Sequence, residues 1–173
     1  RHYVTPVSAV YYNQERKMTV SIRPLEPEDL ESLYQIENSM EDWEYSSNNV
    51  PFSYYLLRDY IATQKCDLSI DRQVRLAICD GNNPSHVMGL ADLSDYNPIH
   101  RRAEIGIILA KEHRGRGYSL QAMSVFIEYI RSTRLVDHVY AYVPEDNVAC
   151  IRMLKKNGFM HGATLKNWFQ KEG

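Results

Sequence analysis

The segment Glu104-Ile-Gly-Ile-Ile-Leu-Ala-Lys-Glu-His-Arg-Gly-Arg-Gly-Tyr-Ser119 gathers the residue types of an anion cradle. Gly115 and Gly117 let the backbone approach an oxyanion closely, and Arg114 and Arg116 add positive charge. The helix predicted to open at Tyr118 and Ser119 presents unpaired N–H groups and the positive end of its dipole. A pyrophosphate suits such a turn. Two other readings stand beside this one. A bare Arg-Gly-Arg-Gly run is also what a solvated surface loop looks like. A Rossmann dinucleotide site would use Gly115-x-Gly117 with Asp137 on the ribose, but Leu120 stands at the third glycine position and strands precede the motif. A P-loop is excluded, since no G-K-[ST] follows.

A second feature is a charge asymmetry. From Pro24 to Leu57 there is no Lys, Arg or His, while Glu26, Glu28, Asp29, Glu31, Glu37, Glu41, Asp42 and Glu44 all fall inside it. The net charge is only −2, so the remainder of the chain is basic. An acidic patch on a basic body suits a cationic partner for one and an anionic partner for the other. Trp43 and Tyr45 could add cation–π contacts. The overall balance gives no footprint for nucleic acid, and no apolar run approaches the ~18 residues of a membrane span. Cys66, Cys79 and Cys150 are odd in number and far apart, which fits reduced thiols in a cytoplasmic protein. The six histidines lack metal-ligand spacing, so no bound metal is expected.

The elements that must position these residues follow from periodicity. The 173 residues suit one domain. Residues 1–17 lack pattern and read as an N-terminal extension, leaving 18–173 as the domain. Val20 and Ile22 alternate with polar neighbours in a strand near 18–23. Pro27 suits the first position of a helix carrying Leu30, Leu33, Tyr34 and Glu37, and a second helix is expected near 53–64. Strands follow near 74–78, 86–93 and 101–110, the last with Ala103, Ile105, Ile107 and Leu109 on one face. Leu120, Met123, Ile127 and Ile130 share a helical face. Val136–Val143 reads as a strand ended by Pro144. Asp146 or Asn147 can cap a helix that Asn157-Gly158 terminates, and a last strand is expected from Phe159. The order β-α-α-β-β-β-α-β-α-β is that of a mixed α/β domain.

Arg114-x-x-Gly117-x-Ser119 resembles the acetyl-CoA signature R/Q-x-x-G-x-G/A of the GCN5-related N-acetyltransferase (GNAT) family, with Ser119 at the last position. Ile22-Arg-Pro-Leu-Glu-Pro-Glu-Asp-Leu30 is similar to the family's opening strand and helix, and Asn147 to Phe159 to its N-x-x-(S/A)-x-x-x-(Y/L)-x-x-x-G-F segment. His100 to Leu109 is most similar to the spermidine/diamine branch, with the branch that acetylates ribosomal-protein N-termini close behind. The resemblance implies a mostly antiparallel mixed sheet flanked by helices. It implies a final strand missing or cut short, since the sequence stops at Gly173. It also implies acetyl transfer from acetyl-CoA to a primary amine, with a polyamine such as spermidine as acceptor. The alternatives are a protein N-terminus as acceptor, or acetyl-CoA binding without turnover. Self-association into a homo-oligomer is compatible with the family.

An alkyl amine has a pKa near ~10.4, so at pH 7 only a few molecules in ~10⁴ are neutral and a base must take the proton. Glu104 is the candidate; its alternative is a salt bridge with Arg101 or Arg102. The resemblance implies that Ile107, Ile108 and Leu109 bind the pantetheine arm, with an oxyanion donor around Ile108. It places the pyrophosphate at Arg114, Gly115, Arg116, Gly117, Tyr118 and Ser119, and Asn147 against the cofactor or nearby backbone. Leu154 stands where many members carry a tyrosine that protonates the leaving thiolate. Tyr140 and Tyr142 could substitute, although core packing is the readier expectation for both. Glu37, Glu41, Asp42 and Glu44 fall where the family builds its acceptor site.

Overall fold

The computed structural model describes residues 20–39 and 50–168. Its sheet has five strands in sequence order: β1 (Val20–Pro24), β2 (Val74–Asp80), β3 (Asn83–Asn97), β4 (Arg102–Leu109) and β5 (His138–Tyr140). β1 to β4 are antiparallel and β5 is parallel to β4. Between β1 and β2 lie a 3-10 turn at Pro27–Asp29, α1 (Leu30–Glu37), α2 (Tyr54–Thr63) and a short α3 (Leu68–Asp71). α4 (Tyr118–Thr133) follows β4, and α5 (Val148–Lys156) follows β5.

Strand alternation divides the core into two layers. Leu76, Ile78, Leu93, Ala103, Ile105 and Leu109 pack with Met123 and Phe126 of α4 and with Leu154 of α5. On the other face Ala77, Cys79 and Leu90 meet Leu33 and Ile36 of α1 and Leu57 and Ile61 of α2. α1 and α2 therefore cover one side, α4 and α5 the other. The chain enters α1 through Asp29, which is buried and takes two hydrogen bonds from Arg23, at 2.6 and 2.8 Å. Asp29 also accepts from the Glu26 N–H at 2.8 Å. One member of the acidic run is thus a structural ion pair rather than a solvated charge.

Two expectations differ. The strand from Phe159 does not form: Phe159 packs against the α4 layer, and residues 159–168 are irregular. A strand needs a ladder, and among the described residues this segment has none. The strand expected over 136–143 is reduced to His138–Tyr140, because only Arg102–Glu104 pair with it.

Candidate active site

The cradle is built by backbone. Ala110 N donates to the Met88 carbonyl at 2.8 Å, the last rung between β4 and β3. A single 3-10 turn follows at Lys111–His113. Gly115 and Gly117 then take φ values of +72° and +82°, a region where an L side chain costs roughly 1–2 kcal/mol. A Cβ at either would meet nothing within 4 Å, so conformation rather than crowding demands glycine, and both faces are open. Gly117 is the N-cap of α4 and brings no side chain to the first turn, which also holds no acid. The N–H groups of Tyr118 and Ser119, at the start of α4, are therefore left without a side-chain cap, the arrangement that suits an anion. Arg114 Nε donates to the Leu109 carbonyl at 2.8 Å and ties the turn to the end of β4, while Arg116 is exposed. Tyr118 sets its half-buried ring edge-on to His113. These groups fit a pyrophosphate.

β4 supplies a second backbone surface. Bonded rungs of an antiparallel ladder alternate. From the Ala110–Met88 rung and the register of Ile108 with Leu90, the N–H of Ile108 faces β3. Those of Ile107 and Leu109 face the other way. On that side β5 pairs only with Arg102–Glu104, so beyond Glu104 no described strand covers β4. Around Ile108, the N–H groups turned away from β3 are thus those of Ile107 and Leu109.

Glu104 lies where this open edge begins. It is half-buried, opposite Ser94 on β3 and Tyr140 on β5. It has no salt bridge with Arg101 or Arg102. Arg101 instead pairs with Asp137 at 2.7 Å, and Arg102 lies 3.9 Å from Asp95. The Asp137 pair, together with the antiparallel order, removes the Rossmann reading. Burial, then the charge of Asp95, pushes the Glu104 carboxyl above its ordinary range.

Tyr140 donates its hydroxyl proton to Asp95. Burial and that bond push it up to about 12, so it stays protonated at neutral pH. Neither Tyr140 nor Tyr142 is core: Tyr140 is half-buried, and Tyr142 is 42% exposed with its ring against Trp168. Leu154 is buried beneath the α4 layer. Asn147 caps α5 by accepting from Cys150 N at 3.2 Å.

Of the acidic candidates, Glu41, Asp42 and Glu44 lie outside the described residues, as do Trp43 and Tyr45. Glu37 is at the end of α1 and pairs with Arg75 of β2, which also pairs with Asp92 of β3. Burial raises the Glu37 carboxyl, with Arg75 opposing. Arg75, Asp92 and Ser94 line a cleft with Phe52, Leu56 and Tyr60. None of these six is conspicuous in sequence. The only signal was the alternation of β2 and β3, which puts Arg75, Asp92 and Ser94 on the Glu104 face.

The family model for an acetyltransferase (GNAT) domain matches residues 19–160. The chain is 30% identical over 152 residues to spermidine N(1)-acetyltransferase of Escherichia coli (strain K12), covering 87% of this chain and 78% of that one. It is 23% identical to the enzyme of the same name from Vibrio cholerae, covering 87% and 84%. Among solved structures, a Vibrio cholerae spermidine N-acetyltransferase in complex with CoA and spermine superposes with a TM-score of 0.75 at 24% identity, covering 89% and 88%. A dodecameric form of the Vibrio cholerae enzyme gives 0.73 at 23% identity, covering 89% and 86%.

Proposed function

The chain belongs to the GNAT acetyltransferase family, and from that premise we propose that it acetylates a primary amine of a polyamine such as spermidine. It is an acyltransferase whose acyl donor is acetyl-CoA. The observation that carries the reading is the continuity of Glu104, the uncovered edge of β4 and the Arg114–Ser119 turn along one strand. A base, amide donors and an anion cradle in that order would suit a thioester on a pyrophosphate-bearing arm.

The residues divide the work as follows. Gly115, Gly117, Tyr118 and Ser119 hold pyrophosphate oxygens through backbone, with Arg114 and Arg116 adding charge. Ile107 and Leu109 bind the pantetheine arm, Ile108 lines it, and Asn147 flanks it. Glu104 takes a proton from the acceptor ammonium. The freed lone pair attacks the thioester carbonyl, the N–C bond forms, and the C–S bond breaks. An N–H of Ile107 or Leu109 is oriented to stabilise charge on the carbonyl oxygen. The departing sulfur has a pKa near ~8.5 and needs little acid help. Leu154 offers no proton, and Tyr140, bonded to Asp95 and pushed up to about 12, is a weaker acid than the thiol, so the sulfur leaves as thiolate and takes up the proton that the nitrogen sheds as the amide forms.

The acidic run, with Glu41, Asp42 and Glu44, draws a polycation to the acceptor side, where Glu37 stands paired with Arg75. We read 18–173 as one N-acetyltransferase domain after an N-terminal extension. The dodecameric Vibrio cholerae relative supports a homo-oligomer. No described helix is long and apolar enough to cross a membrane, and three free thiols support a cytoplasmic setting. Steady-state CoA release with spermidine, with mass spectrometry of the product, tests the function. Acetylation of peptide N-termini but not spermidine would move the assignment to the ribosomal-protein branch, and CoA binding without release would make the chain a sensor.

A further inference from the structure

The cleft next to Glu104 contains a cation of its own. Arg75 sends Nε and Nη2 to Asp92 Oδ1 and Oδ2, at 2.6 and 3.0 Å, and Nη1 to Glu37. Its Cζ sits 5.7 Å from the Tyr60 ring centroid. Two carboxylates and an aromatic face are the surroundings that hold an alkylammonium in a partly dry site. The cleft, about 450 Å³, is lined by Arg75, Asp92, Tyr60, Phe52 and Ser94. Ser94 is the cross-strand partner of Glu104. Asp92 lies two residues from Ser94, about 7 Å along the strand. An amine entering toward Glu104 thus has Glu37, Asp92 and Tyr60 within reach of its distal end, with those groups already compensated.

Resting on the polyamine reading, we propose that Arg75 is a specificity-determining residue. It occupies the ammonium subsite formed by Glu37, Asp92 and Tyr60, and so shortens the acceptor site. Acceptors with few charges close to the reacting amine fit in front of it. Long, highly charged ones meet a fixed guanidinium where their distal ammonium would bind. Removing Arg75 leaves two facing carboxylates that repel each other, and a substrate ammonium is the natural replacement.

The test compares kcat/KM for putrescine, spermidine and spermine in wild type, Arg75→Met and Asp92→Asn, by CoA release. Arg75→Met should raise the spermine-to-putrescine ratio about tenfold, the worth of one charge-assisted hydrogen bond, and mainly through KM. Adding Asp92→Asn to Arg75→Met should cancel that gain. Should Arg75→Met fail to fold, Arg75→Gln, which keeps amide donors toward the carboxylates without the charge, decides instead and should raise the ratio in the same direction. Asp92→Asn alone should not lower the ratio, because Arg75 already holds that carboxylate. A tenfold fall in the ratio would mean that Asp92 binds substrate directly, and would overturn the proposal. So would a ratio unchanged in a folded Arg75→Met enzyme that still acetylates polyamines. A wild type that acetylates none of the three amines would overturn the polyamine reading itself.

Discussion

The two halves of the candidate site are made of different material. The donor side, from Ile107 to Ser119, consists mainly of main-chain N–H groups fixed by a strand edge, two left-handed glycines and a helix start. The acceptor side consists of side chains from four separate segments: Glu37, Arg75, Asp92 and Glu104. A backbone site tolerates changes of side chain provided the path of the chain survives. A side-chain site survives changes of path only while its charges stay balanced. The two should therefore fail in different ways.

The largest expected effect lies on the acceptor side. Glu104→Gln should lower kcat by ~10²–10⁴-fold while leaving CoA affinity intact, as expected for loss of a general base. The sign of the pH dependence follows from the raised carboxyl. Wild-type kcat/KM should climb with pH through an acid limb placed above an ordinary glutamate's. Glu104→Gln should lose that limb, and its deficit should shrink as the amine itself deprotonates. A variant matching wild type across pH 7–9 would make Glu104 structural.

Next comes a carboxylate that charge alone would have grouped with the acceptor site. Asp29→Asn should cost about 3 kcal/mol of stability, because it leaves the Arg23 guanidinium without its anion. Burial acts to raise the Asp29 carboxyl, but the bonds from Arg23 and the Glu26 N–H outweigh it, and the result lies below the usual value. Its contribution is present above the unfolded-state pKa and fades as pH falls through the folded one. Urea melts at pH 7 and at low pH should show the gap closing. A constant gap would deny the ion pair its role.

On the donor side, Gly117→Val should weaken CoA binding by ~10–100-fold, the worth of one or two charge-assisted bonds to backbone N–H groups. Acceptor charge should not matter to that loss. Calorimetry on a variant whose melting temperature is preserved gives the answer, and unchanged affinity would dislodge the cradle. The smallest effect is long-range. Raising salt from 0.1 to 1 M shortens the Debye length from ~10 to ~3 Å. The KM for spermidine should then rise severalfold at nearly constant kcat. Neutralising Glu41, Asp42 and Glu44 together should raise KM similarly and flatten the salt response. If it does neither, those acids are a solvated face.

The same contrast explains what the sequence made legible. Arg114, Gly115 and Gly117 were readable because left-handed backbone at a helix start needs glycine within a few residues, and local spacing records that need. The faces of β4 were readable for the same local reason, and the cap of α5 was narrowed to Asp146 or Asn147, of which Asn147 serves. Arg75 and Asp92 were not, since their meeting depends on the β2–β3 register and on α1 ending at Glu37. Nor could composition separate Asp29 from its acidic neighbours, because only folding sets Arg23 beside it. The strand expected at Phe159 looked sound locally, but a ladder partner is not a local property.

The stretch of β4 that no described strand covers also bears on how the protein behaves in storage and in the cell. Exposed strand edges are templates for further strands, and proteins usually blunt them with charge, proline or a covering loop. Gly106 to Leu109 carries no charge and no proline. If the pantetheine arm pairs with this edge, the co-substrate itself serves as the missing strand. Occupancy by CoA would then slow hydrogen exchange at the Ile107 and Leu109 amides and retard association of chains at this edge, so that the metabolite pool would govern the protein's colloidal lifetime as well as its rate.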